Sequence, residues 1–567
     1  MACVESVRNL CNAGKRLVYL YDERIIYLYD EFIIFPDNVK YAKMDIFDVT
    51  GSFGPWQRNV LLIFFYVNIV GIWQNLGITF FAPNMEFRCI EPVYEGMNET
   101  VFDNRCDVPL NSSNITVPCT KWEYDTSYFS QTIVSEWDLV CNREWLVSLA
   151  KSIYMVGFLI SVVFFGQLSD SYGRFPAVVI SYVMTVVSML LALLSSSYTM
   201  FIILRFLQAL GRTGLTTVGF VLVMEIVGPK HRTETGITIQ IGWAIGFTSL
   251  AAVAWFFRHW FWFQLALSVP ILPLAFAYRM VPESPRWLLM KGRMEKLETL
   301  LRKAAKINGR EIKSDIKDLL KVNSVSEDEQ QKTFIDVLKW PKMRNRTFNM
   351  IYLWMVNSFM YYGLSYNTND LAGNPYLNFF IAGALEFPSY ALLFWGIKKW
   401  GRRPTLVALM LVGGASCVAI VPIPDHLPWL ATSLAMVGKF CVTGSFGLLY
   451  LYTSELFPTM VRNVTLGSCS MCARIGSILA PFVRELGKAT HPAVPNVLYC
   501  LLAVTSSLLA LLLPETKGQN MPDTFLESEN FGASTNENGT LKTSAEVKTE
   551  SSNLDEEIKK NYEALDQ

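Results

Sequence analysis

Charge is scarce in this chain. Of its 567 residues only 17% are Asp, Glu, Lys or Arg, against roughly 25% in soluble domains, while 51% are apolar. That balance points to lipid as the surrounding solvent. Neither sign of charge is in excess: 49 basic residues cancel 49 acidic ones, which argues against an electrostatic nucleic-acid binder. Four histidines give little material for a multi-histidine metal site. Of eleven cysteines only Cys469 and Cys472 take a CxxC spacing, alone inside an apolar run, so no metal site is expected. No Gly-x-x-x-x-Gly-Lys-Ser/Thr loop is present, which leaves an ATP-driven pump without a motor. No Ser/His/Asp or metal constellation occurs at membrane depth, which argues against a membrane enzyme. The first 58 residues are too polar for a cleavable signal peptide, so the first membrane helix is expected to serve for targeting.

What the chain does have is twelve apolar runs of the length that a bilayer core about 30 Å thick demands. In the first half they span about Val60 to Ala82, Trp145 to Leu168, Pro176 to Ser196, Met200 to Val227, Thr235 to Phe257 and Phe261 to Val281. In the second they span Phe348 to Asn369, Tyr376 to Lys399, Thr405 to Val421, Pro428 to Leu451, Val464 to Gly487 and Val494 to Leu513. The connection from Glu283 to Arg346 holds sixteen Lys and Arg, and that from Pro83 to Glu144 holds four, which puts the former in the cytosol. The latter carries Cys89, Cys106, Cys119 and Cys141, an even set admitting three pairings, and sequons at Asn98, Asn111 and Asn114. Disulfides and glycans both mean an extracellular loop.

The expected organisation follows. Residues 1–58 form a cytosolic N-terminal segment, of which 1–43, with its near repeat YLYDE, reads as an extension before a functional start at Met44. Residues 59–282 form one six-helix half including the outer loop 83–144. Residues 283–346 form a cytosolic helical loop, 347–514 the second half, and 515–567 a disordered tail rich in Glu, Ser, Asn and Lys. Both termini are then cytosolic.

Motifs sharpen this reading. Gly166-Gln-Leu-Ser-Asp170-Ser-Tyr-Gly173-Arg174, after the second span, resembles the signature loop of the major facilitator superfamily. The equivalent stretch of the second half reads Gly396-Ile-Lys398-Lys-Trp-Gly401-Arg402-Arg403, with Lys398 where the motif's acid is expected. Two six-helix halves with echoing loops fit this fold's parallel repeat. Ser135-Glu-Trp-Asp-Leu-Val-Cys141, Glu225-Ile-Val-Gly228, Pro282-Glu-Ser-Pro-Arg-Trp-Leu288 and Glu455-Leu-Phe-Pro-Thr-Met-Val-Arg-Asn463 together resemble the organic cation, organic anion and carnitine transporter family, over about Ile46 to Lys517. The resemblance implies a plasma-membrane uniporter or secondary transporter that moves small organic ions by rocking one half against the other.

An ionisable residue inside a membrane span marks a pathway or a structural pair. The candidates are Arg205 and Arg212 in span four, Glu225 at its end, Glu386 in span eight, Lys439 in span ten, Glu455 just past it and Arg474 in span eleven, leaving aside Arg484 and Glu485 near the outer end of that span. Glu386, in Gly383-Ala-Leu-Glu386-Phe-Pro388, resembles the acid that cation-transporting members keep near the cavity. It suits an ammonium group, unless it pairs with Lys439 or an arginine. Arg474 falls where cation-selective members tend to have aspartate and anion or carnitine types arginine. Its guanidinium suits a carboxylate, unless it pairs internally with Glu386. Tyr361 and Tyr362, in a YYGL string that resembles a cavity-facing segment, and Phe446 offer aromatic faces to a quaternary ammonium, the alternative being plain helix packing. Gln240 and Trp243, i and i+3 on span five, complete the binding set. A gating set, Asp170, Arg174, Arg205, Glu225, Arg232, Glu455 and Arg462, resembles the family's cytosolic charge network, whose pairs break as the inner gate opens.

The sequence therefore reads as an all-α membrane protein of the major facilitator fold, with twelve helices in two six-helix halves. Its expected partners are the bilayer and a small organic ion: a cation, or a zwitterion such as carnitine. The alternatives are an organic-anion exchanger or a non-transporting membrane receptor. No cofactor is called for. Coupling to Na+ or H+ would need a defined polar site, for which Asn68, Gln74 and Asn75 in span one are suggestive.

Overall fold

The computed structural model describes residues 16–21, 24–29, 32–34, 46–91, 102–109, 116–310, 334–424, 426–458, 460–519, 521–522 and 524–530. The sequons at Asn98, Asn111 and Asn114, the start at Met44 and residues 531–567 of the tail lie outside these residues. The expectation of a disordered tail from residue 515 fails for its described first part, where the helix Phe525–Asn530 is held to the start of the seventh span by Glu529, which accepts from Lys342 N (2.9 Å) and Met343 N (3.0 Å).

Twelve membrane helices run through the described chain. In the first half α1 is Pro55–Leu76, α2 Trp145–Tyr172, α3 Arg174–Ala192, α4 Tyr198–Ile226 and α5 Arg232–Phe256, and α6 opens with Trp260–Ser268. In the second half α7 is Pro341–Tyr366, α8 is Pro375–Ala384 followed by Glu386–Lys399, and α9 is Arg402–Val418. Then α10 is Pro428–Leu456, α11 is Arg462–Leu479 continued by Phe482–Ala489, and α12 is Val494–Leu511. Ten of these are long and apolar enough to cross a membrane. The other two are α7, interrupted by Asn349, Asn357 and four tyrosines, and α9, which has 17 residues.

Several spans are broken where the sequence breaks them. Pro388 has no N–H for the carbonyl of Ala384, so α8 divides at Leu385 and Glu386 falls on the first turn of its second piece. Pro270 and Pro273 reduce the rest of α6 to the short turns Val269–Ile271 and Leu274–Ala277.

The packing repeats. In the first half α1 lies against α5, α2 against α4, and α3 against α4; in the second α7 lies against α11, α8 against α10, and α9 against α10. The halves meet through α2 with α11 and α5 with α8. Small residues let them approach: Ser148 Oγ donates to Pro481 O (3.1 Å) and Glu485 Oε1 (2.8 Å), and Ser152 Oγ to Ile478 O (2.6 Å). Phe247 packs on Phe379 with centroids 4.7 Å apart. All of these contacts lie towards the end of the bundle that carries the 83–144 loop.

That loop is knitted by β4 (Phe87–Glu91) paired with β7 (Lys121–Tyr124) and β5 (Asp107–Pro109) with β6 (Thr116–Pro118); β1–β3 (Arg16–Tyr21, Arg24–Tyr29, Phe32–Ile34) make an antiparallel meander near the N-terminus. Disulfides join Cys89 to Cys119 and Cys106 to Cys141. Tyr124 donates to Asp138 at 2.9 Å, and burial, then that carboxylate, pushes its hydroxyl above the usual phenol range. At the opposite end of the bundle the helix Met294–Ile307 buries Leu297, Leu301, Ala304 and Ala305. Asn308 pins it beneath α1, accepting from Trp56 N (2.8 Å) and donating to Thr50 O (2.7 Å) and Gln57 Oε1 (2.9 Å).

Candidate functional site

The break in α8 delivers Glu386 to the centre of the bundle, fully buried. Its Oε1 accepts from the Tyr361 hydroxyl at 2.6 Å and lies 3.7 Å from Lys439 Nζ. Lys439 also donates to Ser365 Oγ (2.6 Å) and stands 3.2 Å from the centroid of the Tyr361 ring. Glu386 is therefore internally paired, and the pair ties α8 to α10 and α7. Its Oε2 has no hydrogen-bond partner among the described residues. Across the interface, Trp243 of α5 donates from Nε1 to the Tyr361 hydroxyl at 2.9 Å, and Phe446 stacks on Tyr361 at 5.7 Å. Tyr361, Trp243 and Phe446 thus gather around one carboxylate. Gln240, on the same helix as Trp243, is exposed and takes no part in this cluster.

Arg474 is not Glu386's partner. It reaches Tyr362, to whose hydroxyl it donates at 3.4 Å, and its guanidinium lies 3.9 Å from the centroid of the Phe158 ring. Arg212 of α4 lies against the same ring at 5.9 Å and is pressed onto α1, where a Cβ at Gly71 would stand 2.7 Å from its Nε. Among the described residues the Nε atoms of both arginines have no hydrogen-bond partner. Among the described residues no carboxylate forms an ion pair with Arg205, Arg212 or Arg474. The Tyr154 and Tyr366 hydroxyls and Asn75 Oδ1, all buried, are likewise unpartnered. Buried cations without counter-charges are costly, which sets these arginines apart from the paired charges of the bundle.

Arg205 departs from the role its motif implies. The helix α4 runs from Tyr198 at the loop end to Ile226 at the opposite end, and about 1.5 Å of rise per residue puts Arg205 roughly 30 Å from Glu225. It donates to Gln74 O (3.0 Å) and lies 4.5 Å from the Tyr154 ring centroid. It belongs with the central arginines. The polar residues of α1 are engaged in helix contacts: Asn68 donates to Ile239 O (2.7 Å), Gln74 to Leu267 O (3.1 Å) and Asn75 to the Tyr362 hydroxyl (3.4 Å).

The other charges of the gating set form two matching clusters at the far end. Arg174 binds Glu225 (2.9 Å) and the exposed Asp170 (3.1 Å). In the second half Arg402 binds Glu455 at 2.7 Å. Each cluster is completed by an acid that follows the sixth helix of its half. Glu283 accepts from Arg174 N at 2.7 Å, and Glu515 from Arg402 N (2.8 Å) and Arg403 N (2.9 Å). Asp170 has no counterpart in the second cluster: Lys398 stands at its position and is exposed. The signal for Glu283 and Glu515 was in the chain, as Pro282-Glu283-Ser284 and Pro514-Glu515-Thr516. Gly173 (φ 114°) and Gly401 (φ 101°) make the turns that expose the capped amides, in a backbone region nearly exclusive to glycine. Arg232 starts α5, donating to Val227 O (3.3 Å), and Arg462 starts α11.

At the loop end the halves are bridged by charge. Arg484 of α11 reaches Glu144 beside α2 (3.2 Å) and Asp370 beyond α7 (3.6 Å), and Lys488 also binds Glu144. Arg484 and Glu485, left aside on the sequence, therefore stand in the closed face of the molecule.

A paired-half bundle with buried charged and tyrosine side chains between the halves and mirrored charge clusters below them is the arrangement of a membrane transporter. Residues 111–524 match the family model described as sugar (and other) transporter. The chain is 37% identical over 520 residues to the organic cation transporter protein of Drosophila melanogaster, covering 86% of this chain and 94% of that one. It is 33% identical over 513 residues to the organic cation/carnitine transporter 2 of Mus musculus (84% and 91% covered), and 32% identical over 528 to solute carrier family 22 member 1 of Bos taurus (86% and 92%). The Escherichia coli xylose transporter XylE shares the fold, with a TM-score of 0.56 at 16% identity, over 82% of this chain and 99% of that one. The chain belongs to the sugar (and other) transporter family of the major facilitator superfamily, among the solute carrier family 22 proteins. That family is one of transporters, not enzymes, and works by alternating access.

Proposed function

We propose that this protein carries a small zwitterion with a quaternary ammonium and a carboxylate, such as carnitine, across the plasma membrane. The observation that carries the reading is the pair Arg212 and Arg474 on the Phe158 ring, buried and without an acidic partner. A guanidinium pair of this kind suits a carboxylate. Trp243 and Phe446, beside Glu386, suit the ammonium end, where each aromatic face contributes roughly 0.5–2 kcal/mol, the face of Tyr361 being taken by Lys439. One of the relatives is named for carnitine as well as organic cations. In this reading the disulfide-bonded loop is extracellular and glycosylated, both termini and the basic segment 283–346 are cytosolic, and the structure is closed towards the outside.

The test is uptake of radiolabelled carnitine beside tetraethylammonium into proteoliposomes, with and without gradients of Na+ and H+. Carnitine accumulation that a dicarboxylate fails to compete supports the reading. The names of the relatives favour a second one, broad transport of simple organic cations; tetraethylammonium uptake without carnitine uptake would establish it instead.

A further inference from the structure

Two hollows lie one above the other along α3, away from the central arginines. The lower, about 590 Å³, sits between the start of α3 and the helix Met294–Ile307, over a floor of Phe175, Trp287 and Leu288. Arg293, Lys296 and Lys303 stand on its rim. Lys296 and Lys303 are seven residues apart, on one face of their helix, and the face that carries Leu297, Leu301 and Ala304 is buried, which fixes the rim in place. The Arg293 guanidinium is held 4.9 Å from the Trp287 ring centroid. Among the described residues none of these three cations is in an ion pair, whereas the neighbouring Arg302 binds Glu298 at 2.8 Å. Two acids also line the hollow. Glu283 is engaged with the backbone amides of α3 (2.7 Å to Arg174 N), which leaves Glu295.

The upper hollow, about 270 Å³, is almost wholly apolar and is lined by Val178, Val179 and Val183 of α3, Ile63 and Val67 of α1, and Leu274. The two are adjacent: Val281 lines the upper and Glu283 the lower, as do Val179 and Pro176 on α3. Beside them α3 turns exposed Ile180, Val183 and Val187 outwards, at the face a bilayer would cover. Cations at the polar boundary directly below an apolar slot match the anionic headgroup and acyl chain of one lipid.

We propose that this double hollow binds one anionic phospholipid from the leaflet on the side of the 283–346 segment, with its headgroup on Arg293, Lys296 and Lys303 and a chain along α3. The lipid lies against the Gly173 turn, Glu283 and Trp287, whose Nε1 donates to Asp170 O at 2.9 Å. Its occupancy thereby braces the first-half charge cluster.

The test is native mass spectrometry of the full-length protein in detergent with equimolar phosphatidylserine and phosphatidylcholine carrying the same chains. Wild type is expected to retain phosphatidylserine at least five-fold over phosphatidylcholine. Arg293→Gln, Lys296→Gln and Lys303→Gln together should abolish that preference, and Val179→Trp, which fills the upper hollow, should lower retention of both lipids. All three rim side chains are exposed, so the variant is expected to fold, which its unchanged melting temperature will confirm. Equal retention of the two lipids by wild type, or a preference surviving the triple variant, overturns the proposal. Displacement of the lipid by inorganic phosphate alone overturns it too, since the site would then hold a free anion rather than a lipid.

Discussion

The charged residues at the centre divide into Glu386 and Lys439, which pair with each other, and Arg212 and Arg474, which have no acidic partner among the described residues. Glu386 and Lys439 are buried partners 3.7 Å apart, and breaking such a pair costs about 3–5 kcal/mol because the survivor is left uncompensated. Glu386→Gln is therefore expected to lower the melting temperature sharply, and Glu386→Gln with Lys439→Met to restore much of it; any loss of carnitine affinity that persists in the double variant isolates the part of Glu386 that meets substrate. Arg474 behaves oppositely, having no acid to abandon, so Arg474→Ala should be nearly neutral in thermal stability while raising KM for carnitine at least ten-fold. The sequence made Glu386, Arg474 and Tyr361 visible because charge and paired tyrosines are conspicuous in apolar helices. It could not show which charges pair, since that depends on helix rotation: the lysine of α10 points at Glu386 and the arginine of α11 at Phe158. Arg205 differs for another reason: its motif context suggests the inner network, while its depth in α4 places it beside Gln74 and Tyr154.

At the scale of elements, the two halves use one joint twice. A glycine with positive φ, an arginine bound to the acid ending the next helix, and a carboxylate capping the following amides recur at Gly173, Arg174 and Glu283 and at Gly401, Arg402 and Glu515. Removing such a cap costs about 1–2 kcal/mol. Glu515→Ala should lower the melting temperature by a few degrees, as should Gly401→Ala, where the backbone is strained for any side chain and the new Cβ would meet Glu515 at 2.8 Å. If neither moves it, the cap is incidental. Helix number and order were legible from apolar runs alone. The breaks were less so: Pro388 is visible in the chain, but its consequence, Glu386 on a first turn, emerges only when α8 is built.

The whole molecule is captured with its halves joined at the loop end, through α2 with α11, α5 with α8 and the Glu144–Arg484 bridge. This closure has to yield for the centre of the bundle to open to the loop side. Replacing Ser152, whose Oγ lies 2.6 Å from Ile478 O, by Trp should hold the halves apart there; labelling of a cysteine placed at Asn75 by an impermeant maleimide added on the loop side should then rise at least two-fold, and no rise would show that these contacts do not form the barrier. The central claim, that unpaired arginines read a substrate carboxylate, is tested most directly by proteoliposome uptake of carnitine and tetraethylammonium by wild type and Arg474→Asp. The account predicts carnitine uptake by wild type and a shift of preference of at least ten-fold towards tetraethylammonium in the variant. Unchanged selectivity, with carnitine still carried by Arg474→Asp, would contradict it.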